Sequence, residues 1–143
     1  MPTISPSDTV SSRRRVFKTK TFSRWLRKTT LSDRHLCSAV AEMAAGLIEA
    51  DLGGHVFKKR VAAPGRGKSG SARVVVATNL GNRWFFVYGF EKNERANIDD
   101  RELAAFQQLA GVLLRLDASR LAAEQELGNL TEICHEEAKS NSH

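Results

Sequence analysis

The chain has 143 residues, 41% of them hydrophobic and only 3 of them Pro, which suits one globular domain with a modest single core. No run of about eighteen apolar residues is present and no apolar stretch follows the charges near the N-terminus, so the expectation is a cytoplasmic protein with no membrane span and no secretory signal. The net charge of +6 divides unevenly, because residues 13–73 carry 15 Lys and Arg against 4 Asp and Glu, whereas residues 99–143 carry 4 against 9. Clustered cations gain affinity for a phosphate backbone by releasing its counterions; a basic surface that merely keeps the protein soluble is the competing explanation.

Residues 1–12 are rich in Ser, Thr and Pro and have little apolar content to repay ordering, so residues 1–15 read as a disordered lead that ends in Arg13-Arg14-Arg15. Val16-Phe17-Lys18 is a short strand candidate, and Thr21 is placed to cap a helix carrying Phe22, Trp25 and Leu26 at helical spacing. Arg24, Arg27 and Lys28 fall on its solvated side. Ser32 then caps a longer helix whose stripe of Leu36, Val40, Met43, Ala44, Leu47 and Ile48 is expected to run up to Gly53-Gly54. His35 and Cys37 flank that stripe without metal-ligand spacing to each other, which points to structural roles. Cys134 is distant from Cys37 and neither belongs to a CxxC pair, so two ordinary thiols are predicted instead of a disulfide framework or a zinc site.

Strand alternation over His55–Val61 puts Val56, Lys58 and Arg60 on one face and Phe57 and Val61 on the other. A Gly-rich loop follows, then a Val-rich strand from Ala72 to Thr78, a short link through Asn79-Leu80-Gly81-Asn82, and an aromatic strand from Arg83 to Phe90. Three consecutive strands with short links indicate an antiparallel meander. Asp99 with Glu102 three residues later forms a reciprocal cap for a helix whose buried face carries Leu103, Phe106, Ala110, Leu113 and Leu114. Beyond it, a helical stretch from Asp117 is broken by Gly128, and Leu130–Cys134 reads as a short strand or a tail.

Gly67-Lys68-Ser69 ends like a phosphate loop, but Ala62 stands where that loop needs its first glycine, and a strand follows instead of a helix. The four His residues show neither HExxH nor any paired spacing, so neither a metal nor any other cofactor is expected. What the sequence concentrates is Lys58, Arg60, Arg66, Lys68, Arg73, Lys92 and Arg95 near one sheet edge. Such a set suits metal-free RNA cleavage, in which the 2′-hydroxyl attacks the adjacent phosphorus. Arg supplies paired donors to phosphoryl oxygens, and a Lys crowded by cations titrates nearer neutrality and can move protons. Phe90 closes the aromatic strand as a core residue or as a platform for a splayed base.

The order of elements, together with Gly65-Arg66-Gly67-Lys68-Ser69-Gly70-Ser71-Ala72-Arg73 and Tyr88-Gly89-Phe90-Glu91-Lys92-Asn93-Glu94-Arg95-Ala96-Asn97-Ile98, resembles the RelE/HigB toxins of bacterial type II toxin-antitoxin systems. The resemblance is strongest to HigB-like members whose third strand ends in Gly-Phe-x-Lys-Asn. It implies a toxin domain over residues 16–116, followed by an acidic helix or tail over 117–143. It also implies an α+β fold in which N-terminal helices pack on an antiparallel three- to four-stranded sheet, with a C-terminal helix. The implied activity is ribosome-dependent cleavage of mRNA, neutralised by a helix-turn-helix antitoxin. By position, Arg73 resembles the family's strand arginine at the scissile phosphate, Lys92 stands where a basic residue closes the last strand, and Lys58 and Arg60 are similar to the pair used for acid/base work and RNA contact. Taken with the cation cluster, the candidate catalytic residues are Arg73, Lys92 and Lys68, and the candidate RNA contacts are Lys58, Lys59, Arg60, Arg66, Phe90 and Arg95. Where many members place a Tyr or His near the C-terminal side of the sheet, this chain has Ile98. Two alternatives stay open: a non-catalytic gyrase inhibitor resembling the ParE branch, and a degenerate toxin that only binds.

Overall fold

A computed structural model describes residues 13–62 and 71–135. The elements in chain order are β1 (Arg15–Thr19), α1 (Lys20–Leu26), α2 (Asp33–Ala44), β2 (Ala50–Gly53), β3 (Val56–Val61), β4 (Ala72–Thr78), β5 (Arg83–Glu91), α3 (Asp100–Leu113), α4 (Ala118–Glu126) and β6 (Leu130–Ile133). The six strands form one sheet in the order β2-β3-β4-β5-β1-β6. The architecture is α+β, as the resemblance implies, but the sheet is larger than expected and it is mixed. The meander β3–β4–β5 is antiparallel, β1 runs parallel to β5 with Phe17 beside Phe85, and β6 closes the far edge antiparallel to β1.

Helices cover both faces. On one, α1 and α2 bury Phe22, Leu36, Val40 and Met43 against Phe57, Val74, Val76, Trp84 and Phe86. On the other, α3 and α4 bury Ala110, Leu113 and Leu121 against Phe17, Val56, Val75, Ala77, Phe85 and Val87. β4 lies between these two cores, so all seven of its residues are buried. That double burial explains its nearly continuous apolar run, the pattern of a strand covered on both sides. Gly89 on β5 permits the close approach of α1, because a Cβ built there would run into the ring of Trp25.

Local signals set several boundaries. Ser32 caps α2, where the ring nitrogen Nδ1 of His35 accepts from the Ser32 backbone N–H at 3.0 Å. Asp99 and Glu102 form the expected reciprocal cap of α3, at 2.8 and 2.9 Å. Asp117 caps α4, and Gly128, at φ 82°, follows its end. At the first helix the cap is Thr19 instead of Thr21, with its hydroxyl accepting from the Phe22 N–H at 3.2 Å.

Two further expectations are overturned. α2 stops at Ala44 well short of Gly53-Gly54, because Gly46 adopts φ 101° and turns the chain out of the helix; Leu47 is left 61% exposed and Ala50–Gly53 becomes an edge strand. The two cysteines are joined: Cys37 on α2 and Cys134 after β6 form a disulfide with their Cα atoms 5.5 Å apart. Their separation of 97 residues hides the pairing in the sequence, since only the return of β6 beside β1 brings the two together.

Candidate functional site

Alternation along three neighbouring strands builds the site. Arg60 on β3 stands opposite Arg73 on β4, and Arg73 stands opposite Phe90 on β5, so the three share the face that α3 covers. Lys58, two residues before Arg60, lies on the same face and donates from Nζ to Oδ1 of Asn97 at 3.2 Å. The first turn of α3 and the loop before it therefore border a set of cations gathered from β3 and β4.

Arg73 is only 9% exposed. Its Nε donates to the carboxylate of Glu49, with the two oxygens 2.9 and 3.1 Å away, while Nη1 is buried and has no hydrogen-bond partner among the described residues. An orphaned guanidinium N–H costs roughly 1–3 kcal/mol of desolvation. Arg60 donates from Nε to the Ser71 hydroxyl at 3.2 Å and is otherwise exposed. Two guanidinium groups directly opposite each other repel, and an anion bound between them would relieve that repulsion.

Arg95, in the loop after β5, reaches back over this face. Its guanidinium lies 5.7 Å from the centre of the Phe90 ring and 6.0 Å from that of Tyr88. It pairs with Glu102 through two bonds of 2.6 and 3.0 Å, and Nη1 also donates to the Tyr88 hydroxyl at 3.1 Å. The Arg95 pKa is raised, first by the hydrogen bonds to Glu102. The carboxyl of Glu102 is correspondingly held below its usual range by Arg95 and then by the Asp99 backbone N–H. One carboxylate thus serves both the helix cap and the cation. Phe90 is buried beneath Arg95, which makes it the floor of the site and leaves little ring area for a stacked base.

The remaining expected residues are dispersed. Lys59 points to the opposite face, where its Nζ is held by Glu42 at 2.8 Å and by the Leu47 carbonyl at 2.9 Å. Lys92 is exposed in the turn after β5. Arg66 and Lys68 fall outside the described residues. Among the described residues no group of three or more His, Cys, Asp and Glu side chains is arranged to hold a metal ion, and no helix is long and apolar enough to cross a membrane.

A family model described as the RelE toxin of the RelE/RelB toxin-antitoxin system matches residues 14–133. The chain belongs to that family. No curated protein matches it significantly. As a RelE-family toxin the chain belongs to a toxin-antitoxin system, with an antitoxin as partner, and toxins of the family generally inhibit translation. The match includes α4 and β6, so the family's pattern reaches to the end of the sheet.

Sequence reasoning missed four members of this site. Tyr88 has no distinguishing signal within the aromatic strand, although its two-residue offset from Phe90 places it on the same face. Glu102 is legible in the sequence only as half of the Asp99 cap, and Asn97 carries no pattern of its own. Glu49 was hidden inside a helix that ends earlier than its periodicity suggested.

Proposed function

We propose that this RelE-family toxin is an RNA endonuclease that cuts mRNA on the ribosome without a metal ion, by attack of the 2′-hydroxyl on the adjacent phosphorus. The observation that carries the reading is the set of cations on one face of the sheet: Arg73, anchored through Nε by Glu49 and directly opposite Arg60 across β4 and β3, with Lys58 two residues before Arg60. A phosphoryl group bound at this face would meet charged, planar guanidinium donors, which is how charge developing in a transition state is stabilised effectively.

In this reading the proton of the 2′-hydroxyl passes to a general base as the new P–O bond forms. The bond from phosphorus to the 5′-oxygen breaks, and that oxygen takes a proton from a general acid. Arg73 stabilises the dianionic phosphorane. Lys92 and Lys68 are the proton-transfer candidates, and Lys58, Arg60, Arg66 and Arg95 hold the flanking phosphates. Lys59, turned to the other face, has no part in it.

Induced expression in cells lacking an antitoxin tests the proposal. Growth should stop and messages should fragment. Growth arrest with whole messages and lost DNA supercoiling would favour a ParE-like gyrase inhibitor, and normal growth with whole messages would favour a protein that only binds.

A further inference from the structure

We infer that Asn97 is a positioning residue for the cleavage site, holding Lys58 and Arg95 in place around the phosphate seat of Arg60 and Arg73. The inference rests on the nuclease reading above and adds to it a residue with no charge and no expected contact with RNA.

Asn97 lies two residues before the Asp99 cap, yet its bonds go mainly to the site. Its Oδ1 accepts from Lys58 Nζ at 3.2 Å and from the Ile98 backbone N–H at 2.9 Å, and its backbone carbonyl accepts from Arg95 Nε at 3.0 Å. The Ile98 bond fixes the direction of the amide oxygen. That oxygen in turn fixes one of the three donors of the Lys58 ammonium and leaves two for a phosphate. Lys58 stands opposite Val75 on β4, and Arg60 and Arg73 stand opposite each other two residues further along the same pair of strands. An ammonium on a four-carbon stem would otherwise sample many rotamers, so tethering it lowers the entropy lost on engaging a phosphate.

Asn97 is also the point at which the two cations meet, since Lys58 uses its side chain and Arg95 its main chain. Arg95 is locked to Glu102, so the segment from 95 to 102 moves with the first turn of α3. A shift of this loop would displace both cations together, which an ordinary helix approach has no reason to arrange.

The test uses the full-length toxin on message-programmed ribosomes, with single-turnover cleavage by wild type, Asn97→Ala, Asn97→Asp, Lys58→Ala and the double variant Asn97→Ala/Lys58→Ala. Asn97→Ala should slow cleavage on the order of 10²-fold, the scale of a misplaced catalytic neighbour. Asn97→Asp, which keeps the acceptor oxygens, should recover most of the rate, and the double variant should be no slower than Lys58→Ala alone. The inference is overturned if Asn97→Ala cleaves like wild type, if the losses of the two single variants multiply in the double, or if Asn97→Asp melts like wild type but is as slow as Asn97→Ala. Wild-type protein that leaves messages whole would overturn the nuclease reading itself, an outcome visible before any variant is compared.

Discussion

The Glu49 carboxylate lies 2.9 Å from Nε of Arg73, whose Nη1 is buried with no hydrogen-bond partner among the described residues. The pair joins the segment leading into β2 to the buried strand β4. Replacing Arg73 by Ala should lower cleavage by about 10²–10³-fold, as removal of a single preorganised donor typically does. Arg73→Lys should not restore it, because an ammonium cannot both keep the Glu49 pair and present fixed donors to the phosphate. Cleavage rates on programmed ribosomes measure both effects.

Gly89 is occupied by contact with Trp25 where any other residue would place a Cβ. Gly89→Ala should destabilise the fold by about 1–3 kcal/mol through overpacking. The loss should shrink when Trp25→Leu makes room. Chemical denaturation of the two single variants and the double variant measures this, and a fully additive outcome would argue against the contact.

The Cys37–Cys134 bond ties α2 to the end of the edge strand β6. Because it closes a long loop in the unfolded chain, Cys134→Ser should cost about 2–4 kcal/mol of stability under oxidising conditions. Under reducing conditions the difference should largely disappear. Alkylation without reductant should leave both sulfurs unlabelled in the wild type.

Glu132 on β6 is paired with Arg15 on β1 at 2.8 Å, and its carboxyl is held below the usual range, first by the hydrogen bond from Arg15 and against the opposing effect of burial. A carboxyl whose pKa is lower folded than unfolded contributes stability that is full above the unfolded value of about 4.3 and is lost as pH falls through the lower folded value. Glu132→Gln should therefore be less stable than wild type near neutrality and lose less stability on acidification. Urea unfolding followed between neutral and acid pH checks the sign.

The features legible in the sequence were those whose partners lie close along the chain. The reciprocal cap of Asp99 and Glu102 is an i, i+3 signal, and the alternation of Lys58 and Arg60 sets them on one face while turning Lys59 to the other. The β3–β5 meander followed from its short links. Parallel pairing of β1 with β5, the return of β6, and the Cys37–Cys134 contact join residues far apart in sequence, with no local pattern to announce them. The helical period of Leu47 and Ile48 continued past the true end of α2 because periodicity registers side chains, whereas Gly46 ended the helix through its backbone. The site was legible as a group of cations, but its ordering by Glu49, Asn97 and Glu102 was not, because neutral and acidic anchors carry no signal of their own.

The most direct measurement is the chemistry of the RNA ends produced by the purified toxin on message-programmed ribosomes. Wild type should generate new fragments ending in 2′,3′-cyclic phosphate, and Arg73→Ala should generate almost none. Messages left whole by the wild type, or the same fragments released by Arg73→Ala at an undiminished rate, would contradict the account.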